Sequence, residues 1–152
     1  MNPNLTTTFE QLTLAVKSNS DQSVKGIDSA LQIIAQEADP ISVAVLLLSL
    51  DDQFQFDEGM FSIIRTAEMF DDKSYVSGFL TAIPHLTKAA PKWASIVLMR
   101  ILNSDETKKE LIRALISSNQ DAKKAVENLC NMINEQSTDF LSKTVAVHVA
   151  TR

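Results

Sequence analysis

The chain has 152 residues, of which 45% are hydrophobic and 22% charged, a balance that is typical of a folded protein and excludes a disordered one. Its formal charge of −5 comes from 14 basic and 19 acidic residues, and it argues against direct binding to nucleic acid, because phosphate binding depends on basic side chains. Three glycines and four prolines are too few turn residues for an all-β fold, and a single cysteine excludes an internal disulfide.

Helical periodicity begins near the N-terminus. A hydroxyl cap at Thr6–Thr8 is predicted to start a first helix, and Ser20 or Asp21 is predicted to open a second. Gly26 costs the second helix about 1 kcal/mol relative to alanine, so we expect it where two helix backbones approach closely. The predicted apolar faces are Phe9, Leu12 and Val16 in the first helix, and Val24, Ile27, Leu31, Ile34 and Ala38 in the second.

Asp39 and Pro40 mark the next restart, because aspartate caps a helix and proline fits its first position. The third predicted helix, Ile41 to Leu50, is apolar nearly all round, and we expect it at the centre of the fold. Asp57 and Glu58 open a fourth helix, where acidic residues complement the helix dipole. Its expected inward side chains are Met60, Phe61, Ile64, Ala67 and Met69 or Phe70.

A fifth helix is predicted from Asp72 or Ser74. Pro84 is expected to break or kink it, since proline lacks the N–H that the ladder requires, and to leave a short segment up to Ala89. Pro91 restarts a sixth helix with a predicted core face of Trp93 (or Ala94), Val97, Leu98 and Ile101.

Three further helices are predicted in the C-terminal third. They begin after Ser104, at Asn119 or Asp121, and at Thr138. Residues 144–149 are β-branched enough for a strand, which leaves the type of the last element open.

Helix pairs therefore begin near residues 39, 72 and 104, at intervals of 32 or 33 residues. That spacing is typical of stacked helical hairpins. We predict one all-α domain over residues 1–152, an irregular α-solenoid of HEAT-like hairpins with eight or nine helices. A globular bundle of the same helices is the second choice.

The sequence indicates no catalytic centre and no cofactor or metal site. His85 follows Pro84 in the fifth predicted helix and His148 lies among valines, without the spacing of a metal-binding pair. Cys130 falls on an apolar helix face, which favours an inert buried thiol. We therefore expect a protein that is not an enzyme, and a hydrolase using His85 is the last of the alternatives.

The N-terminus lacks a basic segment followed by an apolar one, so it does not resemble a signal peptide. The longest apolar stretch, Ile41 to Leu50, is shorter than the roughly 20 residues that span a bilayer. We expect no membrane partner and a cytoplasmic location.

Between residues 51 and 72 the chain is strongly acidic, and Arg65 is its only basic residue. Phenylalanines alternate with the acids, so this stretch is either a set of helix caps around a core or a surface that binds a basic protein. The second interpretation predicts a partner-binding site formed by Asp51, Asp52, Asp57, Glu58, Glu68, Asp71, Asp72 and Tyr75.

The middle of the chain resembles a known family. The segments that carry the resemblance are MFSIIRTAEMF at 60–70, YV at 75–76, IPHL at 83–86, PKWA at 91–94 and RILNS at 100–104. They are similar to the helical class called immunity protein 30, which belongs to the immunity proteins of bacterial polymorphic toxin systems. Some members of this class serve contact-dependent growth inhibition.

The resemblance implies a protein that binds a cognate toxin domain and blocks its active site. Toxins neutralised in this way are often nucleases, which are basic because they hold phosphates. The resemblance supplies no catalytic residues and no contact residues. The alternative is a HEAT-like scaffold or adaptor that binds a partner other than a toxin.

Overall fold

The computed structural model describes all 152 residues and confirms the all-α class, since it contains nine α-helices and no strand. One turn of 3-10 helix, Thr138–Phe140, precedes the last α-helix. The α-helices are α1 Pro3–Ser18, α2 Ser23–Glu37, α3 Ser42–Leu48, α4 Asp57–Glu68, α5 Asp72–Ala89, α6 Pro91–Leu102, α7 Asp105–Ile116, α8 Gln120–Gln136 and α9 Leu141–Ala150.

The first two helix starts and the type of the last element differ from the predictions: α2 begins at Ser23, after the predicted Ser20 or Asp21. α1 begins at Pro3, because the Asn2 side chain accepts a hydrogen bond from the Asn4 backbone N–H at 2.8 Å. The threonines expected to cap it are therefore helical. The last element is a helix, so the alternative of a strand over residues 144–149 is wrong.

Of the two outcomes expected at Pro84, a break or a kink, the break is wrong, because α5 is a single helix of 18 residues that includes this proline. A proline inside a helix costs about 3 kcal/mol. Buried side chains on both sides of the proline, Phe79 and Ile83 before it and Leu86 after it, hold the helix together through tertiary packing.

The third helix is shorter and less central than expected. Val43, Leu46 and Leu47 are completely buried, whereas Ile41 and Leu48 keep 53% and 43% of their surface exposed. A helix that is apolar on all sides can therefore still have one side exposed to solvent.

Helices α3, α5, α7 and α9 form one layer, in which each helix contacts the next. Their starts lie side by side. The Thr107 hydroxyl donates to Asp72 at 2.7 Å, which joins the start of α7 to that of α5, and Lys143 at the start of α9 donates to Asn103 just before α7. Helices α5, α7 and α9 therefore run in parallel, and the start of α3 lies beside that of α5, since Pro40 and Ile41 line the same surface pocket as Lys73 and Ser74.

Helices α2, α4, α6 and α8 form the second layer. α4 and α6 run in parallel, because Lys92 pairs with Asp57 where both helices begin and Arg100 pairs with Glu68 where both end. Between these pairs the rings of Phe61 and Trp93 meet edge to face at 5.1 Å.

The two layers define two edges of the molecule. We call the edge where α3, α5 and α7 begin, and where α4 and α6 end, the first edge. The opposite edge, where α4 and α6 begin, is the second edge.

Forty buried hydrophobic residues between the layers form one continuous cluster, from Leu5 in α1 to Ala150 in α9. The order of contacts is consistent with the irregular solenoid inferred from the spacing of the helix starts. None of the helices combines the length and the apolar character that a membrane span requires.

Candidate partner-binding surface

The predicted acidic residues separate into two groups on opposite edges. Asp57 opens α4 and Glu68 ends it, so their backbones are about 17 Å apart at 1.5 Å per residue. The eight predicted residues therefore do not form a single patch, because the structure divides them between two edges. The separation follows from α4, a straight helix between two acidic termini.

The second edge holds Asp51, Asp52, Asp57 and Glu58. Asp52 has a structural role, because its carboxylate accepts hydrogen bonds from the backbone N–H groups of Lys92 and Trp93 at 2.9 and 3.2 Å. It thereby caps α6 from the loop after α3. Asp57 lies 3.5 Å from the Lys92 ammonium, and Asp51 accepts the backbone N–H of Gln53 at 2.8 Å. Glu58 is exposed in the first turn of α4.

The first edge holds Glu68, Asp71 and Asp72. Asp71 caps α5, and its carboxylate accepts both the hydroxyl and the backbone N–H of Ser74, at 2.7 and 3.1 Å. These hydrogen bonds hold the pKa of Asp71 below its ordinary value. Asp71 and Asp72 are exposed, so their free oxygen lone pairs remain available to a partner.

Other carboxylates join this edge through the parallel arrangement of the helices. Asp39 lies just before α3, and Asp105 and Glu106 form the first turn of α7. Three helices that are neighbours in the first layer, α3, α5 and α7, thus each bring acids to the first edge where they begin. The sequence contains the signal, acidic residues in first turns, but it does not show that these turns are neighbours.

A cleft of about 280 Å³ opens on the first edge between the ends of α4 and α6 and the starts of α5 and α7. Three of the predicted residues line it: Glu68, Asp72 and Tyr75. Arg100, Ser104 and Thr107, which sequence reasoning did not single out, complete the polar lining. We call this the first-edge cleft.

Arg100 forms the strongest contact in the first-edge cleft. Its Nε and Nη2 donate to the two carboxylate oxygens of Glu68 at 2.9 and 2.6 Å, a bidentate pair. The pair joins the ends of α4 and α6, and Glu68 raises the pKa of Arg100 above its already high value.

Tyr75, which was predicted to bind a partner, is buried. It retains only 3% of its surface, because it lies in the first turn of α5 on the side that faces the core. Burial, and then the charge of Glu68, raise the pKa of its phenol, so the hydroxyl stays protonated. The phenol oxygen has no hydrogen-bond partner in the protein.

Comparison with known families decides the identity of the chain. Residues 16–111 match the profile of the family described as immunity protein 30. The chain belongs to this family. No curated protein and no solved structure matches it.

Membership implies an immunity protein that binds and neutralises a cognate toxin. The resemblance seen at residues 60–104 is thereby confirmed, and the matched region includes both groups of predicted carboxylates and the whole of helices α2 to α6. Immunity proteins of this kind are generally not catalysts.

The cysteine and the two histidines of this immunity protein, residue types that often act in catalysis, are not assembled into a site. Cys130 is completely buried, and burial followed by the charge of Glu127 raises the pKa of its thiol to about 12, which disfavours a reactive thiolate. His85 is exposed on α5 and His148 is half-buried on α9. No three acidic, histidine or cysteine side chains are grouped as metal ligands.

Proposed function

We propose that this immunity protein neutralises a basic nuclease toxin by covering its active site with the acidic first edge. The observation that supports the proposal is the presence of acids at the starts of three consecutive parallel helices, α3, α5 and α7. Glu68, Asp71 and Asp72 of the predicted site belong to this surface, together with Asp105 and Glu106.

Electrostatics favours a toxin that acts on nucleic acid. A nuclease holds phosphates with lysine and arginine, so its active site carries a positive potential. Carboxylates on the first edge would replace the substrate phosphates there, in charge-assisted hydrogen bonds. The net charge of −5 would also speed the encounter with such a toxin.

We further propose that the protein acts in the cytoplasm of the toxin-bearing cell and its siblings, within a contact-dependent growth inhibition or related toxin system. It would act by stoichiometric binding, without catalysis and without a cofactor. The second group, Asp51, Asp52, Asp57 and Glu58, is better explained as helix caps and solvated first-turn residues.

The nature of the toxin can be tested with the domain encoded by the open reading frame directly upstream of the gene for this chain. We expect the purified domain to degrade DNA or RNA, and one equivalent of this protein to abolish that activity. A domain that kills cells without cleaving nucleic acid would contradict the nuclease proposal. A partner without toxicity would favour the scaffold alternative.

The location of the interface can be tested with a matched pair of charge reversals. α4 and α7 are both helices of 12 residues that begin with Asp-Glu, one on each edge. Asp105→Lys with Glu106→Lys on the first edge should slow association with the toxin domain about tenfold at low salt and flatten its dependence on ionic strength. Asp57→Lys with Glu58→Lys on the second edge carries the same helix-dipole cost and the same change in net charge, and should slow association much less.

Stopped-flow association rates at several salt concentrations measure both variants. Equal slowing by the two pairs would indicate long-range attraction without a defined edge. Slowing by the second-edge pair alone would indicate an interface on the second edge and would contradict the proposal.

A further inference from the structure

The outward face of α9 is apolar, although α9 is the outermost helix of its layer. None of the exposed residues of this helix is charged: Leu141, Ser142, Val145, Ala146 and Val149. Leu141, Val145 and Val149 follow one another at intervals of four residues and keep 45%, 58% and 57% of their surface exposed. A contiguous apolar stripe, unlike scattered apolar residues, is typical of an interaction site.

The opposite end of the stack has a different surface. α1 packs mainly on α2, and its exposed residues are polar or charged except for Pro3 and Leu14. The outermost elements of a solenoid need a polar outer face to remain soluble, and α1 has one whereas α9 does not. Stacking α9 of one copy on α1 of another would therefore cover an apolar face with a polar one, so growth into a filament is disfavoured.

The outward face of α9 also does not suit the proposed toxin. Carboxylates attract a basic nuclease, and these lie on the first edge, whereas the α9 face offers no charge. In addition, α9 lies wholly outside residues 16–111, which match the family profile. A neutral apolar face is best covered by another neutral apolar face, and of the two outermost helices only α9 presents one.

We propose that two copies of this immunity protein form a dimer in which their α9 helices pack against each other in antiparallel orientation. Each copy uses the same surface, so the dimer is closed by a twofold axis. The inference goes beyond the proposed function and does not depend on it.

The order of small and large side chains along α9 supports this packing. In an antiparallel pair centred between Val145 and Ala146, the Val145 side chains of the two copies meet near the twofold axis. The small Ser142 of each copy then lies opposite the larger Val149 of the other. Small side chains opposite larger ones allow two helices to interdigitate.

The charges that flank α9 favour the same orientation. Asp139 precedes the helix and Arg152 follows it; both are exposed, and neither takes part in an ion pair within the chain. An antiparallel pair brings Asp139 of each copy to the end of the interface where Arg152 of the other lies. A parallel pair would bring like charges together at both ends.

The size of the contact predicts a weak dimer. α9 has 10 residues and is therefore about 15 Å long. One such helix from each copy buries less than the roughly 1,200 Å² below which interfaces are weak or transient. We therefore expect a dissociation constant of about 10–100 µM.

Sedimentation equilibrium of the intact protein from about 5 µM to about 1 mM tests the inference. The unchanged protein should pass from monomer to dimer over this range. Val145→Glu places two like charges near the twofold axis and should weaken dimerisation at least about tenfold. Leu14→Glu makes the same change at a position of α1 that is 67% exposed, so it is the matched control and should dimerise like the unchanged protein. A monomer at every concentration, or a dimer that Val145→Glu does not weaken, would overturn the proposal.

Cysteine substitutions test the orientation, because the native Cys130 is completely buried. Under mild oxidation Val145→Cys should form a disulfide-linked dimer much faster than Leu14→Cys does. A mixture of Ser142→Cys and Val149→Cys should form a disulfide between the two variants faster than Ser142→Cys alone crosslinks. Equal rates for Val145→Cys and Leu14→Cys would contradict the dimer, and faster crosslinking of Ser142→Cys alone would contradict its antiparallel orientation.

A toxin that covers α9 would give a different set of results. The unchanged protein would then stay monomeric, and Val145→Glu would weaken binding of the upstream-encoded toxin domain, so the dimer proposal would be wrong. We expect instead that Val145→Glu loses dimerisation and still inhibits the toxin domain like the unchanged protein. Failure of the toxin domain to bind any of these proteins would count against the proposed function and not against the dimer.

Discussion

Single carboxylates in this protein combine structural roles with exposure to solvent. Asp52 and Asp71 both satisfy backbone N–H groups at helix starts, but Asp71 caps its own helix while Asp52 caps α6, forty residues further along the chain. The same residue type therefore supplies negative potential at the surface and fixes how helices begin. Charge alone does not distinguish the two roles.

This difference predicts the effect of removing Asp52. Asp52→Ala leaves the N–H groups of Lys92 and Trp93 without their acceptor, so the free energy of unfolding should fall by about 1–2 kcal/mol. Urea denaturation followed by circular dichroism measures the change. Glu58→Ala, an exposed first-turn substitution, should stay within about 0.5 kcal/mol of the unchanged protein. Equal losses from both would show that Asp52 acts through charge and not as a cap.

At the scale of elements, close helix packing depends on small residues at two crossings. A Cβ on Gly78 would lie 2.6 Å from Val43 Cβ, closer still to its Cγ1, and 3.0 Å from the Ala44 backbone nitrogen. α3 and α5 therefore touch through their backbones. The approach of α1 and α2 at Gly26 is looser, with 3.2 Å to Ala15 Cβ, and it agrees with the expected close approach.

The two glycines predict contrasting outcomes for the same substitution. Gly78→Ala should destabilise the protein by about 1–3 kcal/mol, because the added methyl group forces α3 and α5 apart. Gly26→Ala should change stability by less than about 1 kcal/mol, since the gain in helix propensity offsets a mild clash. Val43→Ala should not rescue Gly78→Ala, because the Cβ of residue 43 and the α3 backbone still obstruct the methyl group. Denaturation midpoints of the three variants decide the matter.

At the scale of the whole molecule, the continuous core links every helix to its neighbours. We propose on this basis that the chain folds as one domain over residues 1–152. Trp93, the only tryptophan, is completely buried in α6, near the middle of the stack. Its fluorescence therefore reports on the centre, whereas circular dichroism reports on all nine helices.

A single cooperative domain predicts that these two signals change together. Urea transitions followed by tryptophan fluorescence and by far-ultraviolet circular dichroism should have the same midpoint and slope. In a stack where each helix is stabilised only by its neighbours, the terminal helices would unfold first. The circular dichroism transition would then begin earlier and be broader than the fluorescence transition. That result would exclude a single cooperative unit.

The sequence alone determined the helical class, most helix starts and the family resemblance. Local signals carry this information: the spacing of apolar residues predicts the buried face of α6, and Asp39-Pro40 and Pro91 mark restarts because proline constrains its own backbone. For α4 it predicts Met60, Ile64 and Ala67 correctly, misses the buried Ile63, and wrongly allows Met69, which is exposed. At Pro84 local and tertiary preferences conflict, and the break that local reasoning allowed does not occur.

Only the tertiary structure decided which acids face the same way. Asp57 and Glu68 are close in sequence but lie at opposite ends of α4, whereas Asp72 and Thr107, 35 residues apart, are hydrogen-bonded. Tyr75 and Arg100 likewise meet in the first-edge cleft only because α5 and α6 pack together. The physical reason is that helix periodicity fixes a face relative to its own axis, while the rotation and register of neighbouring helices depend on the packing of the whole core.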